Sequence, residues 1–232
     1  MYNLALNCDL GEWPGKEGLQ RDEAIMPLIQ YANIACGYHA GDEERMRQTC
    51  LLAIKHGVKI GAHPSFNDRE NFGRLPHYLT NQELYSLVLN QVQTLQGIVK
   101  TIGGKLHHVK PHGALYNMSV KDVEMAAVIV QAVKDVDDGL MIMALPNSAL
   151  AIATEQAGVG FLREGFADRR YESDGTLVSR NQPHALIESI SELNDHLNWV
   201  AQHMQIDTLC IHSDGKLAIE FLYAIHEMKQ HE

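Results

Sequence analysis

The chain has 232 residues, is 45% hydrophobic and carries a formal net charge of -10 at pH 7. No basic stripe runs through its predicted helices, which argues against nucleic acid as a partner, because phosphate backbones attract clustered Lys and Arg. No apolar run reaches the roughly 18 residues that a membrane-spanning helix needs, so the sequence also argues against a membrane protein. Since no Pro/Ser-rich linker or charge block divides the chain, we expect one domain over residues 1–232.

The N-terminal segment and the cysteines predict a cytoplasmic location. The first residues include Asp9 and have no basic stretch ahead of an apolar one, unlike a secretory signal peptide. The four cysteines have no C-x-x-C spacing, and three of them lie in apolar runs. We therefore expect reduced, buried thiols in a reducing compartment.

Seven short apolar runs are the predicted strands of this protein. They cover residues 4–8, 32–36, 58–62, 107–111, 140–145, 159–164 and 208–212. Each has about the length of a strand and is continuously apolar rather than alternating. This pattern is typical of strands that are covered on both faces.

Segments with helical periodicity separate most of these runs. Residues 44–57 place apolar side chains on one face and end at a glycine, and Thr80 with Glu83 has the spacing of a capping box. Helical stripes continue from that box and recur at residues 119–135, 184–204 and 216–229. Alternating strands and helices predict an α/β fold with a parallel sheet. We favour a TIM-like (β/α) barrel of about seven strands over a doubly wound sheet, because polar residues follow nearly every strand.

The polar residues that follow the strands are the candidate site, because parallel α/β folds build their sites at the carboxyl ends of the strands. In strand order they are Asn7, Asp9 and Glu12; His39 and Asp42; His63, Asp68, Arg69 and Arg74; Lys110, His112 and Tyr116; Asn147; Glu164, Asp168, Arg169, Arg170 and Tyr171; and His212 and Asp214. We expect them to surround one pocket. The glycines on either side of His39 let the backbone approach a ligand closely.

Some of these residues also have structural explanations. Asp42 fits a helix cap better than a site residue, Asp214 fits either role, and His107 and His108 are expected only to pack beside their strand. A single histidine at a strand end is more often structural than catalytic, but four at corresponding positions favour function. Lys110 lies in an apolar run, where a lysine requires an anionic partner or a depressed pKa.

The arginines predict an anionic ligand. Six of the nine lie in the two segments 63–74 and 161–180 of an otherwise acidic protein. Guanidinium groups bind carboxylate or phosphate through paired hydrogen bonds, although ion pairs within the loops are the structural alternative. The second segment is long and contains an Asp174-Gly175 turn, so we interpret it as a lid.

Two catalytic motifs are absent from the sequence. There is no G-x-x-x-x-G-K-[ST] phosphate loop and no G-x-S-x-G nucleophile elbow. Acid–base or metal-assisted chemistry is what remains.

Five segments carry a resemblance to a known family. LNCDLGE, ANIACGYHAGD, GAHPSFNDRENFGR, HVKPHGALYN and EGFADRRYESDGTLVSR, in this order, resemble the LamB/YcsF family. The resemblance implies a barrel of the glycoside hydrolase/deacetylase type. It also implies ATP-dependent opening of the 5-oxoproline (pyroglutamate) ring to L-glutamate, with Mg and ATP as co-substrate. The implied partners are 5-oxoprolinase subunits B and C, and the resemblance does not decide whether the chain also forms a homo-oligomer. Two departures concern the last strand: Ser213 replaces a glycine of the family's His-Gly-Asp-Gly motif, and the preceding loop is short.

This chemistry assigns provisional roles. The residues expected to be catalytic are Asp9, His39, His63, Lys110 and His112. The residues expected to bind the small anionic lactam are Asn7, Glu12, Arg69, Arg74, Tyr116, Glu164, Asp168 and Arg169. Histidine suits proton transfer near neutral pH, and the cationic groups suit the substrate carboxylate or a phosphorylated oxygen.

Two alternatives stay open at the level of sequence. One is a divalent-metal hydrolase or deacetylase, with Asp9, His39 and His63 as a two-His-one-carboxylate site. The other is a substrate-binding subunit whose partners perform all the chemistry.

Overall fold

The structure, a computed structural model, describes residues 4–230. Its centre is a closed barrel of seven parallel strands in sequence order, in which the last strand pairs with the first. The strands are β1 Ala5–Leu10, β2 Tyr31–Ala35, β3 Lys59–His63, β4 Leu106–Val109, β5 Met141–Ala144, β6 Gly160–Phe166 and β7 Thr208–Cys210. All seven predicted strands are confirmed, with ends that differ by two residues at most.

Helices connect successive strands around the outside of the barrel. They are α1 Gly15–Ile25, α2 Glu43–His56, α3 Asn81–Thr101, α4 Gly113–Ser119, α5 Val123–Val136, α6 Ala149–Ala157, α7 Ile190–His203 and α8 Ala218–Gln230. The capping box at the start of α3 is confirmed, as is the role of Asp42 as the N-cap of α2. Helices α1, α4 and α6 were not predicted, because they are short, alanine-rich or interrupted by glycine. Within residues 4–230, no helix has the length and apolarity needed to cross a membrane.

The two faces of the barrel strands differ in polarity. In β1, Leu6, Cys8 and Leu10 belong to the apolar core under the helices, whereas Asn7 and Asp9 make polar contacts across the barrel. Neighbouring strands are in register at these positions, with Asp9 opposite Asn33. The barrel interior is therefore a buried polar network, and the apolar core lies between the sheet and the helices. All four cysteines are buried and free, as predicted.

Replacing Gly61 with alanine is expected to lower the free energy of unfolding by about 1–3 kcal/mol, because a methyl group there would overlap the ring of His108. That ring fills the barrel beside β3, and its Nε2 is 2.7 Å from Asn33 Oδ1. Gly97→Ala, on the exposed face of α3 with open space around it, is the matched control and is expected to raise stability by about 0.5–1 kcal/mol. Urea denaturation of both variants measures the difference. A Gly61→Ala protein as stable as wild type would contradict the packing.

Candidate active site

A cavity of about 280 Å³ opens at the carboxyl ends of the strands. Its lining includes eight of the predicted site residues: Asp9, His63, Arg74, Lys110, His112, Tyr116, Arg169 and His212. Residues 176–180 of the segment predicted to be a lid, and Asn181 directly after it, also line the cavity. The barrel thus gathers side chains from distant parts of the chain around one small space.

Lys110 is the central cation of the site. Its side chain is 2% exposed, and its ammonium lies 2.9 Å from Asp9 Oδ1 and 2.7 Å from Glu164 Oε1. Cys210 Sγ is 3.1 Å away, and the ring of Phe166 is beneath the ammonium. Burial alone lowers the pKa of Lys110, but Asp9, Cys210 and Glu164 outweigh it and raise the pKa well above 10.5. Lys110 is therefore a charged group neutralised by two carboxylates.

Asp9 is held in its ionised form. Burial raises the pKa of Asp9, but His63 and Lys110 overcome that effect and keep it well below 3.8. Asp9 Oδ1 accepts hydrogen bonds from Lys110 and from Asn33 Nδ2, and Asp9 Oδ2 is 3.3 Å from His63 Nε2. Asn33 also donates to Asn7, which places Asn7 in the layer beneath the cavity rather than on its wall.

Three histidines and Glu12 form a second buried cluster beside Asp9. His39 Nε2 is 3.1 Å from Glu12 Oε1, and His112 Nδ1 is 3.0 Å from His63 Nε2. The rings of His39 and His112 stack with centroids 3.8 Å apart. Burial and then the charge of Asp9 raise the pKa of Glu12 to about 7. Burial lowers the pKa of His39 and of His112 well below 6.5.

His212 and Asp168 form a third polar unit at the cavity. His212 Nδ1 lies 3.0 Å from both carboxylate oxygens of Asp168, and the His212 backbone N–H donates to the same carboxylate. The pKa of Asp168 is below 3.8 although burial raises it, because His212 and Arg180 stabilise the anion. In the neutral ring, with Nδ1–H donating to Asp168, the lone pair is on His212 Nε2, which lies 3.9 Å from Asp9 Oδ2.

The arginines at the cavity differ in their partners. Arg74 and Arg180 both contact Asp214, at 2.6 and 2.5 Å, which gives Asp214 an ion-pair role rather than a cap. Arg169 donates to the carbonyl of Val178, its Nε has no partner, and no carboxylate of the described residues forms an ion pair with it. Burial lowers the pKa of Arg169. Among the described residues, Arg169 is thus a buried cation of the site without a direct ion pair, although the charge of Asp168 acts on it.

Other predicted residues lie away from the cavity. Arg69 donates to the carbonyls of Gly37 and Gly41 and lines a neighbouring pocket. The position of Arg69 therefore does not support the prediction that it binds substrate. Its hydrogen bonds hold the loop after β2 in place. Outside the residues assigned roles, Asp68 accepts from Asn71, Arg170 pairs with Glu192, and Asn147 lines another pocket.

Sequence reasoning missed or discounted part of the site. Asn33 is a polar residue inside an apolar run, which was a usable signal. Arg180 was seen only as a member of the arginine group. His212 was given no provisional role, yet its ring lies in the cavity wall, and the adjacent Ser213 is buried.

Comparisons with known proteins identify the family of this chain. Residues 4–232 match the sequence model of the LamB/YcsF family. A relative from Tolumonas auensis, named as the A subunit of 5-oxoprolinase, is 44% identical over 235 residues, which is 95% of this chain and 93% of the relative. A Bacillus mycoides relative with the same name is 43% identical and covers 97% of this chain and 94% of its own length.

Solved structures give the same result. The crystal structure of a lactam utilization protein from Thermus thermophilus has a TM-score of 0.87 and 35% identity, and the match covers 98% of this chain and 96% of that one. The catalytic domain of a peptidoglycan N-acetylglucosamine deacetylase from Eubacterium rectale matches at a TM-score of 0.51 and 10% identity, over 99% and 86% of the two chains. That second likeness concerns the barrel fold alone. From its sequence match and its close structural relative, this chain belongs to the LamB/YcsF family.

Proposed function

We propose that this chain is the A component of a 5-oxoprolinase, which hydrolyses 5-oxo-L-proline to L-glutamate with subunits B and C and with ATP and Mg as co-substrate. The names of the two relatives and of the Thermus structure support this proposal. The observation that carries it is the buried Arg169, which forms no direct ion pair among the described residues and lies on the wall of a small polar cavity. The four free thiols fit a cytoplasmic enzyme.

The cavity suits a small anion. Its volume of about 280 Å³ is at the lower end of the range for small-molecule sites. A buried guanidinium is unfavourable without a counter-charge, so a substrate carboxylate at Arg169 would satisfy it with paired hydrogen bonds. Arg74 and Arg180, which share Asp214, add positive charge at the rim. These contacts favour a lactam that carries a carboxylate.

The proposed reaction needs an activated amide and a positioned water. ATP would supply the phosphoryl group that makes the lactam oxygen a leaving group. Water then adds to the ring carbonyl carbon, the bond to the ring nitrogen breaks, and that nitrogen takes up a proton, which leaves an acyl phosphate. A second water displaces phosphate from the same carbon and gives the side-chain carboxylate of glutamate. The lone pair of His212 Nε2 faces the cavity and is our candidate for the base that takes the proton of the water.

The ATP site is not assigned to particular residues. The sequence has no phosphate-loop motif, so we attribute use of ATP to the assembly with subunits B and C. Lys110 and Asp9 contribute a fixed charge pair beside the reacting atoms. Such fixed groups stabilise developing charge without reorganising during the reaction.

The proposal is tested by reconstitution of the chain with candidate B and C subunits. We expect release of glutamate from 5-oxoproline that depends on ATP and on this chain. Arg169→Gln is expected to raise KM by about 10- to 100-fold, from the loss of one charge-assisted contact, whereas Arg69→Gln should leave KM close to wild type. No glutamate from the full complex would refute the function. An unchanged KM in Arg169→Gln would refute the substrate-binding role of Arg169.

A further inference from the structure

The cluster of Glu12, His39, His63 and His112 contains four ligand atoms that converge on one point. All four lie within 4.8 Å of one another, and all four residues are buried. The closest pairs are His39 Nε2 with Glu12 Oε1 at 3.1 Å and His112 Nδ1 with His63 Nε2 at 3.0 Å. Glu12 Oε1 also lies 3.5 Å from His112 Nδ1 and 3.9 Å from His63 Nε2. Ligands around a four-coordinate metal at about 2.0–2.1 Å lie at comparable separations.

The hydrogen bonds on the outer side of each ring define where its proton is. His63 Nδ1 is 2.6 Å from the carbonyl of Lys110, and His112 Nε2 is 2.8 Å from the carbonyl of Phe72. A carbonyl only accepts, so both of these nitrogens donate. In the neutral rings, His63 Nε2 and His112 Nδ1 therefore carry lone pairs that point into the cluster.

His39 follows the same rule through a serine. Its Nδ1 is 2.9 Å from Ser65 Oγ, and the Ser65 hydroxyl donates to the carbonyl of Phe66. Because the serine proton is used there, Ser65 Oγ accepts from His39 Nδ1–H. His39 Nε2 thus also presents a lone pair, directed at Glu12 Oε1.

With the three rings neutral and Glu12 ionised, three lone pairs and a carboxylate oxygen face one another with no donor among them. Two lone pairs at 3.0 Å, as between His63 and His112, repel each other. One cation bound by all four atoms would remove this repulsion, because each lone pair would then point at a positive charge. We propose that Glu12, His39, His63 and His112 bind one divalent transition-metal ion of the zinc class.

The surroundings of the cluster support a metal site. Metal-binding histidines typically donate their second ring nitrogen to a carbonyl or another fixed acceptor, and all three rings do so here. Phe72 has a φ of 56°, which is unusual for a residue other than glycine, and this conformation places its carbonyl against His112. The Phe72 ring also packs edge-on against His39 and His112.

The proposed ligand set differs from the triad considered from the sequence. His39 and His63 belong to it, but Glu12 takes the place of Asp9, whose carboxylate is bound by Lys110 and Asn33. His63 and His112 also line the cavity, so the ion would face the space that we assign to substrate. A metal there is suited to polarise an oxygen atom of a ligand or of water.

Metal uptake tests this inference without any activity assay, so its outcome is independent of the 5-oxoprolinase proposal. Tag-free, chelator-treated protein is titrated with Co²⁺ as the probe, and the visible absorption of the bound ion is followed. A parallel sample is loaded with Zn²⁺ and analysed for metal content. We expect saturable binding of one equivalent in both experiments.

Two variants localise the ion. Glu12→Gln removes a ligand, and Ser65→Ala removes the acceptor that orients His39; the second is expected to weaken Co²⁺ binding by about 10- to 100-fold in a protein that keeps its circular dichroism spectrum. His107→Gln, which changes a histidine outside the cluster, should bind as wild type does. Absence of saturable uptake by folded wild-type protein would overturn the inference. So would unchanged binding in both Glu12→Gln and Ser65→Ala.

Discussion

Replacing Lys110 with methionine is expected to lower the free energy of unfolding by about 3–5 kcal/mol and to abolish measurable activity. Methionine keeps most of the side-chain volume but leaves Asp9 and Glu164 buried without their shared cation. Breaking a buried ion pair by removing one partner is costly because the remaining charge is uncompensated. A loss of this size corresponds to a fall in Tm of roughly 10 °C in a chain of this length.

A second substitution separates charge from packing. Lys110→Met combined with Glu164→Gln is expected to regain about 1–2 kcal/mol of the lost stability, because one of the two uncompensated carboxylates becomes neutral. Lys105→Met, at an exposed position five residues earlier, is the control and should stay within about 0.5 kcal/mol of wild type. Thermal and urea unfolding measure all three. If Lys110→Met unfolds like wild type, the charge balance described for this site is wrong.

The location of the site was predictable because it depends on topology. Apolar runs of strand length alternate with helices, and this pattern alone brings Asp9, His63 and Lys110 to one rim of a parallel barrel. The structure confirms the seven strands and the closed sheet. Positions that follow a strand directly were therefore predicted well.

The partners of each side chain were not predictable in the same way. Arg69 and Arg169 both follow a strand and both were predicted to bind substrate. In the structure, the loop after β3 directs Arg69 onto backbone carbonyls, whereas Arg169 lines the cavity. Glu12, predicted to bind substrate, contacts His39, because the turn after β1 brings it towards β2. The partner of each side chain depends on the path of the backbone through the loops. The hydrophobic periodicity of the sequence does not predict that path.

The sequence does not predict which ring nitrogen of each histidine carries the proton. The proton positions depend on acceptors supplied by residues as distant as Phe72 and Ser65, so no spacing rule links them to the rings. His212 shows the opposite case. Its position directly after β7 indicates a site residue, and its ring does line the cavity.

Asp168→Asn is expected to reduce kcat of the reconstituted complex by about 10²–10⁴ with little change in KM, because Asp168 sets the ring state of His212. The carboxylate accepts from His212 Nδ1–H and so keeps the lone pair of Nε2 towards the cavity. An asparagine amide can donate to Nδ1 instead. The ring proton would then move to Nε2, where no base remains to accept a proton from water.

The effect on kcat distinguishes this positioning role from simple loss of structure. Asp207→Asn makes the same chemical change at the partly exposed pair with Arg163 and should leave both kcat and KM close to wild type. His212→Gln should reduce kcat to a similar extent as Asp168→Asn, and the double variant should be no slower than either single one, because the two residues act as a unit. Additive losses in the double variant, or an equal rise in KM, would assign Asp168 and His212 to separate tasks.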